Sequence, residues 1–419
     1  MKKSINIILI ILLFLNLSSV LIKRDGSSFD LFSYSIRIAL YFYVLYQIFI
    51  KHYPKILKKQ KLYQFCCVIP FILIFPLLYS ALGTNDWRNS ISSIFPTYFL
   101  LSNNIFFLYV GYYSTTESGK NIDVSNIFHN FALLSIIGMT FITIYVVMTY
   151  GNLMGIWELA SSEGGAYNVF LNAYKNVNPY KFAILIPFLF LKKCKYNLFL
   201  AVLCVINIFI AGKKGPLVGI IIVTTILYLF VWHNKKKVIS SCIYAILVFV
   251  FYIEFIDDTI FNTLIYRLDP SQHYNASADI SFYSSGRDHI WQTIFEGYSK
   301  SHLLHQIFGH GTIGAYNFLL SQNEPNNAHN TWLEILYNFG GLGVLAFLYY
   351  YTVLMHICLK MKKFNYQWKS IAIFLVLFSF LSTFYTVTYR GGFAFSGYSN
   401  MLFAFLYGHF IGTKIQMRK

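Results

Sequence analysis

About twelve apolar runs of roughly 17–25 residues, each long enough to cross a bilayer as a helix, constrain this chain more than any other feature. They begin near Ile5, Leu31, Tyr63, Ile94, Phe128, Val177, Asn197, Pro216, Val238, Thr331, Ser370 and Met401. Because lipid offers the backbone no hydrogen-bond partner, runs of this length predict helices that satisfy their own peptide groups. Composition agrees. Of the 419 residues 57% are hydrophobic and 12% are charged, against about 25% charged in soluble domains. The first run, "INIILIILLFLNLSSVLI", lacks a small-residue cleavage site and precedes many further spans, so it is expected to stay as an anchor. The predicted class is therefore all-α: a polytopic membrane protein with about 12 transmembrane helices.

The net charge of +17 would fit a nucleic-acid binder were the charges spread evenly. They are not. With a cytoplasmic N-terminus and one crossing per run, about 21 of the 33 Lys and Arg fall on the cytoplasmic side. They include Lys51, Lys55, Lys58, Lys59, Lys61, the runs at Lys192, Lys235 and Lys360, and the C-terminal "KIQMRK". Only Glu117 and Asp123 oppose them there. This is the positive-inside pattern, so both termini are expected in the cytoplasm and no nucleic-acid partner is implied. Cysteines 66, 67, 194, 204, 242 and 358 all fall in spans or on that side, which leaves the outer loops without a disulfide framework or a cysteine metal site.

The expected organisation is one membrane domain in three stretches. Residues 1–256 hold nine spans on short loops, 257–330 form a long external loop, and 331–419 hold three more spans. A second external loop, Gly151 to Asn176, is of moderate length. In the long loop, "SSGRDHIWQTIFEGYSK" predicts a helix capped by Ser284 or Ser285, with Ile290, Trp291, Ile294 and Phe295 along one face. "SHLLHQIF" repeats the pattern with Leu303, Leu304, Ile307 and Phe308. Neither can span, so both are expected against the membrane surface or the top of the bundle. The two halves of the chain show no repeat, which removes support for a repeat-built transporter.

The external polar residues are few. In "FIAGKKGPLVG", Lys213 and Lys214 stand on the side where basic residues are disfavoured, and the flanking glycines permit a tight turn with exposed amides. Two ammonium groups on such a turn suit a phosphate; alternatively they are snorkelling lysines that end a helix. Arg287 opens the first loop helix, where amides, dipole and guanidinium all favour an anion. The other reading pairs it with an acid such as Asp288. Arg267 and Arg390, the latter in "TYRGGFAFSGYSN", are further candidates.

Six histidines lie in the long loop: His273, His289, His302, His305, His310 and His329. His302 and His305 are one helical turn apart, a spacing that metal ligands use, but no H-E-x-x-H or comparable motif accompanies them. No metal or other cofactor is therefore expected. His310 is kept as a further candidate. His329 differs in its neighbours, because Thr331 and Glu334 form a T-x-x-E capping box directly after it. That gives Glu334 a structural task and places His329 just ahead of a span, where an imidazole could serve as general base or simply bond loop carbonyls. Gly340, Gly341 and Gly343 suggest close packing or a kink in that span.

The order "AGKKGPLVG", "SSGRDHIW", "FGHGTIGAYN" and "NNAHNTWLEILYNFGGLGVLAFL" across a membrane-bounded loop resembles the O-antigen polymerase and ligase family, the Wzy-like and WaaL-like enzymes, over about Asn207 to Leu348. The resemblance implies a GT-C-like membrane fold and a metal-independent, inverting glycosyl transfer at the outer face of the bacterial plasma membrane. The implied donor is a glycan on undecaprenyl pyrophosphate. By the same resemblance His329 is the base on the acceptor hydroxyl and Arg287 holds the pyrophosphate. Lys214 stands where the family often has arginine, and it keeps the charge without the bidentate fork. Implied partners are the lipid-linked oligosaccharides, membrane lipids and a chain-length regulator. The expected activity is polymerisation of O-antigen or capsule repeat units, with ligation to lipid A core as the alternative and a precursor flippase as a different class.

Overall fold

A computed structural model describes residues 107–108, 111–112, 114–115, 123–150, 178–211, 214–230, 288–311, 314–323, 328–361, 366–384 and 396–416. Every regular element among them is a helix. In chain order these are α1 Val124–Tyr150, α2 Asn178–Leu189, α3 Asn197–Ile210, α4 Lys214–Phe230, α5 Asp288–Ser299, α6 Leu303–Phe308, α7 Gly314–Ser321, α8 Thr331–Lys360, α9 Tyr366–Ser382 and α10 Ser396–Gln416. The spans expected at Ile5, Leu31, Tyr63 and Val238 lie outside the described residues, as does most of that at Ile94.

Two of the described helices have both the length and the apolarity of a membrane span, Val124–Thr149 and Thr331–Lys360. At about 1.5 Å per residue, the described part of α2 measures about 18 Å and α3 about 21 Å, against a hydrocarbon core about 30 Å thick. A turn at 190–196, where the sequence places the basic loop at Lys192, separates α2 from α3.

The described residues divide between two compact units. One contains α2, α3, α4 and nearly all of α1. Within it, Asn207 of α3 donates to Thr140 Oγ1 of α1 at 3.3 Å, and His129 Nδ1 meets the Leu189 carbonyl at 3.0 Å. The other contains α5 to α10 and residues 107–115. There α10 packs against 107–115 through glycines: a Cβ at Gly111 would strike the Phe405 carbonyl, and one at Gly408 the Leu108 carbonyl. Gly408 and Gly412 stand four apart, the small-residue spacing that lets membrane helices bring their backbones together.

Among the described residues, the stretch expected as a long loop forms three helices packed on α8. Ile290 and Ile294 of α5, Ala315 and Leu319 of α7, Ala328 and Tyr337 form one buried cluster, with Tyr298, Phe318 and Leu333 at its edge. Both amphipathic helices expected here are present, and α7 is a third that the sequence did not announce. The face expected on α5 is split. Ile290 and Ile294 are buried whereas Phe295 is exposed. The cap expected at Ser284 or Ser285 lies outside the described residues; α6 is capped by His302, whose Nδ1 accepts from Leu304 N.

Helix α8 is kinked at Gly340, whose φ of 66° and ψ of −167° lie where only glycine is at ease. The kink releases carbonyls that a straight helix would use, and the loop takes them. His310 N donates to Tyr337 O at 2.9 Å and Gly311 N to Asn338 O at 2.8 Å. Contact is close on both sides, since a Cβ at Gly309 would meet Asn338 backbone and one at Gly340 the Ile307 carbonyl.

Candidate functional site

His329 occupies the residue before a helix cap, with backbone in the left-handed region at φ 52°. Three anchors hold its turn. Trp291 Nε1 of α5 donates to Ala328 O at 2.7 Å, immediately before the histidine. Immediately after it, Asn330 Oδ1 accepts from Trp332 N at 2.9 Å and Leu333 N at 3.2 Å. One residue further, Thr331 N donates to Thr383 O at 2.9 Å, at the end of α9. His329 itself is half-buried.

The cap corrects the sequence expectation. Asn330, not Thr331, is the N-cap, and Thr331 is the first helical residue. Asparagine is at least as good a cap as threonine, and its oxygen reaches both free amides from one position earlier. Glu334 therefore sits one place too deep for a capping box, in the first turn of α8 and 1% exposed. A carboxylate there meets the positive end of the helix dipole. Trp332 secures the same end, donating from Nε1 to Thr383 Oγ1 at 2.7 Å and packing its ring against Phe347, Phe380 and Phe384.

His310 lies in the turn after α6, inside a stack of four rings. Its ring is 4.3 Å from that of His305 and 4.5 Å from that of Tyr337, which in turn lies 5.0 Å from Phe318. Ser301 Oγ donates its one proton to Gly297 O at 2.7 Å, so its 2.8 Å contact with His310 Nε2 is a donation from the imidazole. That fixes the tautomer. Burial, and then the neighbouring charge of His305, hold the His310 pKa down at about 4. His305 turns its Nδ1 to the Gly309 carbonyl at 3.1 Å, while His302 caps α6. Both members of the pair weighed as metal ligands thus have tasks in the turn.

The other candidates divide by position. Lys214 is the first residue of α4, so its backbone stands at a helix N-terminus. Lys213, Arg267, Arg287 and Arg390 lie outside the described residues, Arg287 directly before the first residue of α5. Sequence reasoning missed Lys181, 3% exposed in the first turn of α2 close to Asn178, which is 1% exposed. A buried lysine in a 12-residue apolar helix is a signal the sequence did carry.

Comparison with curated proteins finds no match to this chain. Residues 199–348, which run from α3 into α8 and include both Lys214 and His329, match the family model described as O-antigen ligase, and this match supports the resemblance to the O-antigen polymerase and ligase family.

Proposed function

We propose that the protein is a membrane glycosyltransferase that polymerises lipid-linked oligosaccharide repeat units of a surface polysaccharide, O-antigen or capsule, on the outer face of the bacterial plasma membrane. One observation supports this reading: Trp291 of α5, the helix that directly follows Arg287, bonds the residue that precedes His329. In this reading an anion-holding arginine and a base come from two ends of one hydrogen-bonded join.

The donor is a glycan on undecaprenyl pyrophosphate. His329 takes the proton from the acceptor sugar hydroxyl as that oxygen attacks the anomeric carbon. The anomeric C–O bond breaks on the opposite face, inverting the configuration, and the electron pair leaves with the pyrophosphate. Arg287, Lys213 and Lys214 stabilise the charge gathering on that leaving group. Arg267, Arg390 and His310 are secondary candidates for binding the substrates, and a chain-length regulator is a proposed partner. No metal is required, since the leaving group is already a weakly basic anion and the cations are side chains.

Ligation is the second reading, favoured by the description of the matching family. It takes the same donor and differs in acceptor, the lipid A core instead of another repeat unit. Replacing His329 by alanine in the native host distinguishes them. Single repeat units on the surface are expected for a polymerase, and finished chains stranded on the carrier for a ligase. Normal surface glycan from a stably expressed variant would remove His329 from the mechanism. Precursor trapped on the cytoplasmic side would mean a flippase.

A further inference from the structure

Helix α6 is folded inside out for a helix in water. Leu303, Leu304 and Ile307 cover an arc of about 100° on one side, and they are 65%, 41% and 36% exposed. The polar residues turn inward instead. Gln306 donates from Nε2 to Ser299 O at 3.1 Å and to Ser301 O at 3.0 Å, and its own carbonyl accepts from Tyr298 OH at 2.9 Å. His305 bonds Gly309 O and stacks on His310. An amphipathic helix on a water-facing surface buries its leucines and presents its glutamine. Here the arrangement is reversed, and three neighbouring aliphatic side chains are left on the outside.

The level of α6 along α8 says what meets them. The cytoplasm-like end of α8 is marked by Lys360, followed by Lys362 and Lys363. From Lys360 back to Gly341 the helix measures about 30 Å, the full thickness of a hydrocarbon core. Along that length Leu342, Leu345, Leu348, Tyr349 and Leu359 are exposed, a surface fit for lipid. Gly340 is therefore the boundary residue, and Gly340 is where the Ile307 carbonyl of α6 touches α8. Ile307, one of the exposed residues of α6, thus stands at the level where the exposed apolar length of α8 ends.

We infer that α6 is bedded in the membrane, with Leu303, Leu304 and Ile307 among the acyl chains of the leaflet that receives the N-terminal end of α8. The helical module α5–α7 is then gripped by lipid from below and by α8 from the side. Its consequence for His329 is a bounded height: Thr331–Phe339, on the far side of the kink, is about 13 Å long, so the histidine just ahead of it stays close to the headgroup layer. This inference does not depend on the proposed reaction, because it rests on the exposure of Leu303, Leu304 and Ile307 and on the level at which α6 meets α8.

Site-directed spin labelling tests the depth. The protein, with its six cysteines replaced, is labelled singly at Leu303→Cys, Leu304→Cys or Ile307→Cys and reconstituted in phosphatidylethanolamine–phosphatidylglycerol vesicles. Leu345→Cys serves as the lipid reference and Ser299→Cys as the aqueous one. All three α6 labels should relax with oxygen and resist a water-soluble nickel chelate, as Leu345→Cys does. If they respond to nickel as Ser299→Cys does, α6 stands in water; if they respond to neither, a protein surface or second copy covers it. Either result overturns the inference. Unmodified protein gives a second measurement, in vesicles containing a phospholipid with an acyl-chain diazirine. Photoadducts are expected on Leu303–Ile307, and their absence while the Leu342–Leu348 stretch is labelled would also overturn it.

Discussion

The position of His329 rests on its neighbours more than on the histidine itself. Asn330 supplies the cap, and Asn330→Ala should cost about 1 kcal/mol of stability, the usual loss for such a cap, seen as a lower melting temperature in detergent. Glycosyl transfer should fall with it, because the turn between Ala328 and Thr331 loses one of its three anchors. The left-handed backbone at residue 329 allows a sharper experiment. Glycine adopts that φ without a Cβ penalty and asparagine tolerates it well. His329→Gly and His329→Asn are therefore expected to melt at or near the wild-type temperature while abolishing transfer. Variants that melt far lower would show a structural role instead. Of this geometry the sequence disclosed the changeover at His329 but not its cap. Asn330 and the T-x-x-E box starting at Thr331 both satisfy capping rules one residue apart, and only the backbone decides between them.

Among elements, the α5–α7 module is tied to α8 by a kink that glycine makes possible. Gly340→Ala adds a methyl group against the Ile307 carbonyl and requires a backbone conformation that L-residues avoid. The expected loss is roughly 1–3 kcal/mol, read as faster hydrogen exchange at His310 and Gly311, whose amides bond the carbonyls that the kink releases. The same module should respond to pH through His310. Its folded-state pKa of about 4 lies below the ordinary 6.5, so the unfolded module binds more protons between those values. Its stability is then fully present above about pH 6.5 and declines as pH falls toward 4. Hydrogen exchange of residues 297–311 across that range measures it, and His310→Asn should flatten the response. Periodicity revealed α5 and α6, since each carries apolar residues one turn apart. It did not reveal α7, where Gly314 and Asn317 dilute the pattern, nor the ring stack, which joins residues far apart in sequence.

For the molecule as a whole, apolar runs announced several helix starts closely: Asn197 and Thr331 coincide with the expected positions, and Val177 and Pro216 fall within two residues of α2 and α4. They did not fix where each helix ends, because transfer free energy is blind to a break in hydrogen bonding. Nor could they foresee the glycine contacts of α10, which depend on two backbones meeting. A valine at Gly408 should destabilise the packing of α10 on 107–115 by roughly 1–3 kcal/mol or more, since the Leu108 carbonyl lies in its way. Gly138→Ala in α1 is the control: nothing stands within 4 Å of its Cβ position, and the change should be neutral or raise the melting temperature slightly. One consequence of the kink concerns time. The backbone amides of His310 and Gly311 are synthesised before α8, yet their acceptors, Tyr337 O and Asn338 O, belong to it. A nascent chain stopped before Thr331 should therefore leave residues 288–323 open to protease, and become resistant only once α8 has emerged. The chain is made in one order and closes in the other.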